Sequence, residues 1–100
     1  MDIQKFSFLL SDGKLPALLL ASDNLMMDIK NVCGSIVCHS SCIACYLDKI
    51  SVPVHRIEIN DAVESINKLT ETYKVLAEQR RSLLERIKYL QSLQIHELAA

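Results

Sequence analysis

Four cysteines fall within thirteen residues: Cys33, Cys38, Cys42 and Cys45, with His39 among them. Thiolate and imidazole are ligands for tetrahedral zinc, and Cys42-x2-Cys45 has the spacing of a zinc half-site. A complete site would need two close pairs separated by a longer loop. On a continuous helix Cys33 and Cys45 would lie about 18 Å apart along the axis, and on a strand further still. The favoured reading is therefore four reduced thiols acting as small hydrophobes, with no metal and no cofactor. A zinc-stabilised small regulator is the alternative. Thiol catalysis needs a base and an electropositive setting around the sulfur. His39, His55 and His96 are available, but no local motif ties any of them to a thiol. Two isolated glycines make no phosphate loop. The chain is expected not to be an enzyme.

The whole chain has 100 residues, half of them apolar and 23% charged, which suits one small domain with a core. Its net charge of −1 argues against a mainly electrostatic nucleic-acid or membrane-surface binder. The longest apolar run, Leu15 to Ala21, is far short of the roughly 20 residues that cross a bilayer. The start of the chain lacks the basic and apolar regions of a signal peptide. These features imply a nuclear or cytoplasmic protein with reduced cysteines and no membrane partner.

The elements that must position these groups divide near Asn60. In residues 61–98, Ala62, Ile66, Leu69, Tyr73, Leu76, Arg80, Leu83, Ile87 and Leu90 alternate at spacings of four and three. That is a heptad seam, and neither Gly nor Pro interrupts it. Asp61 with Glu64 resembles a capping box. The pattern predicts an amphipathic helix about 55 Å long over residues 61–100. Val63, Ala77 and Leu84 are apolar at flanking positions where a two-stranded coil often carries charge, so the stripe is wide enough for more than one neighbour. Ile66, Leu69, Tyr73, Leu76, Leu83, Leu84, Ile87 and Leu90 are the expected partner-binding residues, in a hetero-oligomer assembled through this helix.

Residues 1–60 carry two competing patterns. Phe6, Phe8 and Leu10 alternate, Ser11-Asp12-Gly13-Lys14 is a turn signal, and residues 31–47 contain no Lys, Arg, Glu or Gln. Ser35 to Ile43 is rich in Ser, Cys and β-branched residues. Val52-Pro53-Val54 and Arg56 to Ile59 also look extended, with Pro53 confined to an edge. This favours a strand-rich body over 1–60. The rival pattern is a second 4–3 seam: Leu18, Ser22, Leu25, Ile29, Val32, Ile36, His39, Ile43, Tyr46 and Ile50. Pro16 would then sit in the first turn of one long helix, and Gly34, Cys38, Ser41 and Cys45 would form a small-residue face. The product would be an all-α antiparallel helical hairpin or coiled coil.

The order Phe6-Ser7-Phe8-Leu9-Leu10-Ser11-Asp12-Gly13, followed by Leu15-Pro16-Ala17-Leu18-Leu19-Leu20-Ala21-Ser22, resembles the second and third strands of OB-folds in the replication protein A large-subunit family. Gly34 to Val37 is similar to the start of the fourth strand and Ile57 to Ile59 to the end of the fifth. The resemblance covers residues 5–60 and lacks the first strand. It implies an α+β fold, a partial OB-like antiparallel β body followed by the long helix, and work in genome maintenance or DNA repair. Phe6, Phe8 and Tyr46 would be the nucleic-acid-stacking candidates, for weak direct binding at most. The function expected is thus a non-enzymatic interaction subunit of a hetero-oligomeric complex. The alternative is an all-helical coiled-coil subunit of a kinetochore-type or vesicle-trafficking complex.

Overall fold

In a computed structural model the chain is described over residues 3–47 and 53–99, and every regular element there is an α-helix. Helix α1 spans Ile3–Asp12, α2 Leu15–Tyr46 and α3 Pro53–Ala99. No strand is present among the described residues, so the α+β expectation, the OB-like body and the replication protein A resemblance are all overturned. Phe6 to Leu10 lies in α1, Leu15 to Leu20 and Gly34 to Val37 lie in α2, and Arg56 to Ile59 lies in α3. The all-α alternative describes the chain. Ile50 and Val52 lie outside the described residues.

Periodicity overrides propensity here for a definite reason. Ser, Cys and β-branched residues each lower helix propensity by well under 1 kcal/mol. An α2 helix turns Ile29, Val32, Ile36, His39, Ile43 and Tyr46 to one side, and all six are half-buried. Each buried apolar side chain contributes about 1.5–3 kcal/mol when covered, so a shared face outweighs local preference. Pro16 is the second residue of α2 and Pro53 the first residue of α3, positions where a missing N–H breaks no helical hydrogen bond. Helix α3 thus starts at Pro53, ahead of the expected start at Asp61.

The turn signal Ser11 to Lys14 is real, but it joins two helices. Gly13 N–H donates to Leu9 C=O at 3.0 Å, and Leu18 N–H donates to Lys14 C=O at 3.1 Å. A Cβ on Gly13 would stand 2.5 Å from the Leu9 carbonyl oxygen, so this joint requires glycine.

The chain divides into two units. Unit one comprises α1, α2 as far as Met27 and α3 from Leu76. Its core is Leu18, Ala21, Leu25, Leu83 and Ile87, with Phe6, Leu9, Leu10, Leu15, Leu76 and Leu90 packed against it. Three helices close over Leu18, Leu25 and Leu83, which are 0–1% exposed. Unit two comprises α2 from Asp28 and α3 as far as Val75. Two helices alone leave that unit open. Ala62 is its only buried residue among those described, and Ile59, Ile66 and Leu69 are half-buried.

Candidate interaction faces

The predicted partner-binding residues separate into two groups. Leu83 and Ile87 are buried in the core of unit one, and Leu76 and Leu90 pack on it. That part of the α3 seam is occupied by the chain's own α1 and α2. Ile66 and Leu69 are half-buried in unit two, while Tyr73 and Leu84 remain 40% exposed. Arg80, at a seam position, is half-buried, and its Nε has no hydrogen-bond partner. Arg81 points outward and bridges Glu78 and Glu85. Its Nε lies 3.1 Å from Glu78 Oε2 and its Nη1 2.7 Å from Glu85 Oε1. The Glu78 hydrogen bond raises the Arg81 pKa, and in return the Arg81 guanidinium lowers that of Glu78.

Of the stacking candidates, Phe6 packs on the core of unit one and Phe8, two residues along α1, is exposed. Tyr46 belongs to unit two. Its ring stacks on His55 with centroids 4.7 Å apart. A hydrogen bond to the Glu58 carboxylate, and the charge of that carboxylate, hold the Tyr46 phenol above its ordinary pKa. His55 Nδ1 lies 3.6 Å from Glu58 Oε2. Tyr46, His55 and Glu58 thereby tie the end of α2 to the start of α3. Phe8 belongs to unit one and Tyr46 to unit two.

All four cysteines are free and exposed on α2. The helix spreads them over about 18 Å, as expected for a continuous helix. Among the described residues no three His, Cys, Asp or Glu side chains gather as a metal site. Cys42 and His39 instead line a shallow cleft of unit two with Tyr46, Glu58, Asp61, Ala62 and Ser65.

That cleft fixes how the two helices of unit two run. Tyr46, at the end of α2, stacks on His55 and hydrogen-bonds Glu58 near the start of α3. The cleft is lined further back along α2 by His39 and further along α3 by Ser65, so the helices are antiparallel. In heptad notation, Ile29, Ile36 and Ile43 of α2 take position a, and Val32, His39 and Tyr46 take d. In α3, Ile59, Ile66 and Tyr73 take a, and Ala62 and Leu69 take d. Positions e and g flank this seam on opposite sides, and antiparallel pairing brings like-lettered flanks together. The g side joins Cys42 with Glu58 and Ser65, all three lining the cleft. It also carries Asp28 and Thr72. The e side carries Cys33, Ser40 and Leu47 from α2, and Arg56, Val63 and Thr70 from α3, so that Arg56 is the charged residue on it. Leu47 is 54% and Val63 43% exposed. In unit one Leu19 and Leu84 hold the same e position and are also exposed.

The back of α3 contrasts with these faces. Glu64–Lys68, Glu71–Lys74 and Glu78–Arg81–Glu85 form a series of exposed ion pairs along the helix. Such pairs contribute little to stability, but they keep that surface solvated. The sequence singled out Val63, Ala77 and Leu84 on the α3 flank. It missed Cys33, Ser40 and Leu47 on α2, because their shared flank exists only once the α2 helix and its antiparallel register are known.

Fold and faces together define an all-helical, coiled-coil-like protein. The chain matches no protein-family model, no curated protein and no solved structure. Among the described residues no helix is long and apolar enough to cross a membrane.

Proposed function

We propose that this chain is a non-enzymatic helical subunit of a hetero-oligomeric coiled-coil assembly, of the kind found in kinetochore-type or vesicle-trafficking complexes. The supporting observation is the open seam of unit two. Nine a and d side chains, Ile29, Val32, Ile36, His39, Ile43, Tyr46, Ile59, Ile66 and Leu69, are half-buried, and among the described residues of this unit only Ala62 is covered. Unit one, with three helices, covers its leucines fully. A two-helix pair with a half-covered apolar seam gains stability from each further helix that packs on it. Tyr73, Leu84, Leu47 and Val63 then act as contact residues for other chains, with no chemistry of their own.

The test uses the full chain tagged in its native cells, with native electrophoresis and cross-linking mass spectrometry. The chain is expected in an assembly well above its own 11.3 kDa, with cross-links from unit two to helical segments of other proteins. Migration as a free chain would overturn the reading.

A further inference from the structure

We propose that the cleft of unit two takes the side chain of an arginine from a different protein, held against the carboxylates of Glu58 and Asp61. This inference rests on the subunit reading above and names the chemistry by which a partner is recognised. It stands on the shape of the cleft and on a charge that the chain leaves uncompensated.

The cleft has a volume of about 290 Å³, and both of its walls belong to unit two. Ligand pockets run from about 300 to 1,000 Å³, so there is room here for one long side chain and not for a cofactor. His39, Cys42 and Tyr46 line it from α2, and Glu58, Asp61 and Ala62 from α3. Ala62 is buried, whereas the two carboxylates are exposed. An arginine brings an apolar stem for the first and a planar fork of donors for the second.

Glu58 and Asp61 stand three residues apart and so share one face of α3. No Lys or Arg lines the cleft with them. In a helix pair, a carboxylate on the flank of the seam is ordinarily met by a cation on the facing flank. The g positions of α2 in this unit are Asp28, Ser35 and Cys42, and residues 31–47 hold no Lys or Arg at all. Tyr46 donates to Glu58, and His55 Nδ1 stands 3.6 Å from the same carboxylate. Asp61 makes no hydrogen bond or ion pair among the described residues. Elsewhere on α3, Glu64, Glu71, Glu78 and Glu85 each meet a lysine or arginine of their own helix. The helix departs from that pattern at Glu58 and Asp61, where the cleft lies.

A second copy of the chain is poorly equipped to supply the cation. Its Arg80 and Arg86 are half-buried, and its Arg81 is held between Glu78 and Glu85. Arg56 already has an interaction of its own.

The experiment titrates the full nitrogen-15-labelled chain with the N-acetyl amides of arginine, lysine and citrulline, the last an uncharged isostere of arginine. The arginine probe should shift the amide signals of Glu58, Asp61 and Ala62. At low salt it should bind about fivefold tighter than the citrulline probe, and high salt should remove the difference. Asp61→Asn, at an exposed position that leaves the Tyr46, His55 and Glu58 contacts in place, should remove most of that advantage. Far-UV circular dichroism should keep the helical signal. Equal binding of arginine and citrulline, or an advantage that Asp61→Asn leaves intact, would overturn the proposal. So would a lysine probe that binds as tightly as arginine. A dimer of the chain alone that Asp61→Asn dissolves would give the cleft to a second copy and overturn it as well. In native cells Asp61→Arg places a guanidinium in the cleft from within and should release the partner. If the assembly survives Asp61→Arg, the subunit role stands and this inference fails.

Discussion

Replacing Leu83 by Ala should destabilise the isolated chain far more than replacing Leu69, although both hold the d position of the same seam. Leu83 is 0% exposed and belongs to the cluster of Leu18, Ala21, Leu25 and Ile87. Truncation to Ala removes three carbons, worth about 2.4 kcal/mol at about 0.8 kcal/mol per carbon. A cavity closed in by three helices adds to this, giving about 3–5 kcal/mol in total. Leu69 is half-buried in unit two, between two helices. Its truncation loses roughly half of the transfer free energy and leaves no sealed cavity, so about 1 kcal/mol is expected. Urea unfolding followed by circular dichroism reads the difference. With a slope of about 1–3 kcal/mol per molar, Leu83→Ala should lower the midpoint by about 1 M or more and Leu69→Ala by well under half of that. A Leu69→Ala cost equal to that of Leu83→Ala would refute the open seam of unit two. A Leu83→Ala cost below about 1 kcal/mol would refute the core of unit one.

The two glycines should respond with opposite signs in the same assay. Gly13→Ala forces its Cβ against the Leu9 carbonyl and should destabilise, whereas Gly34→Ala meets nothing within 4 Å inside α2 and should stabilise by about 0.5–1 kcal/mol. The pKa of Tyr46 is raised, so the stability it contributes is present below the ordinary tyrosine range and is lost as pH rises through the folded value. Glu58→Gln should return the phenol toward that range, seen by ultraviolet titration of a variant in which Tyr46 is the sole tyrosine. Glu78 has the opposite sign. Its pKa is lowered, so the contribution of its Arg81 pair is present above the ordinary glutamate value and lost as pH falls through the folded one. Carbon-detected NMR of the Glu78 carboxyl should show the depressed midpoint return toward normal in Arg81→Gln.

The α3 seam was legible because every 4–3 position from Ala62 to Leu90 is apolar or long-stemmed, and a helix needs no more than that to be recognised. The α2 seam was equally regular from Leu18 to Tyr46, but two local signals pointed the other way. Ile36, Val37 and Ile43 are residues that strands favour, and the missing charges over 31–47 looked incompatible with an exposed helix. Both signals have another origin. The isoleucines line the seam, and the uncharged outer positions, such as Ser35, Val37, Ser41 and Ala44, are exposed on a helix all the same. Ser11-Asp12-Gly13 marks a reversal of the chain whatever elements it joins, so it could not decide between hairpin strands and helices. The contact faces were half legible. Val63, Ala77 and Leu84 stand out within one seam, whereas the flank made by Cys33, Ser40 and Leu47 needs the register between two helices that no single seam contains.

The four thiols of α2 point in three directions around the helix. Cys33 shares the e flank with Ser40 and Leu47, Cys42 opens into the cleft beside His39 and Tyr46, and Cys38 and Cys45 lie on the outer surface between. The protein therefore carries its own footprinting labels. Alkylation in the assembled state, resolved cysteine by cysteine, becomes a bearing. The thiol that stops reacting names the side of α2 from which a neighbour approached, with no residue added or replaced.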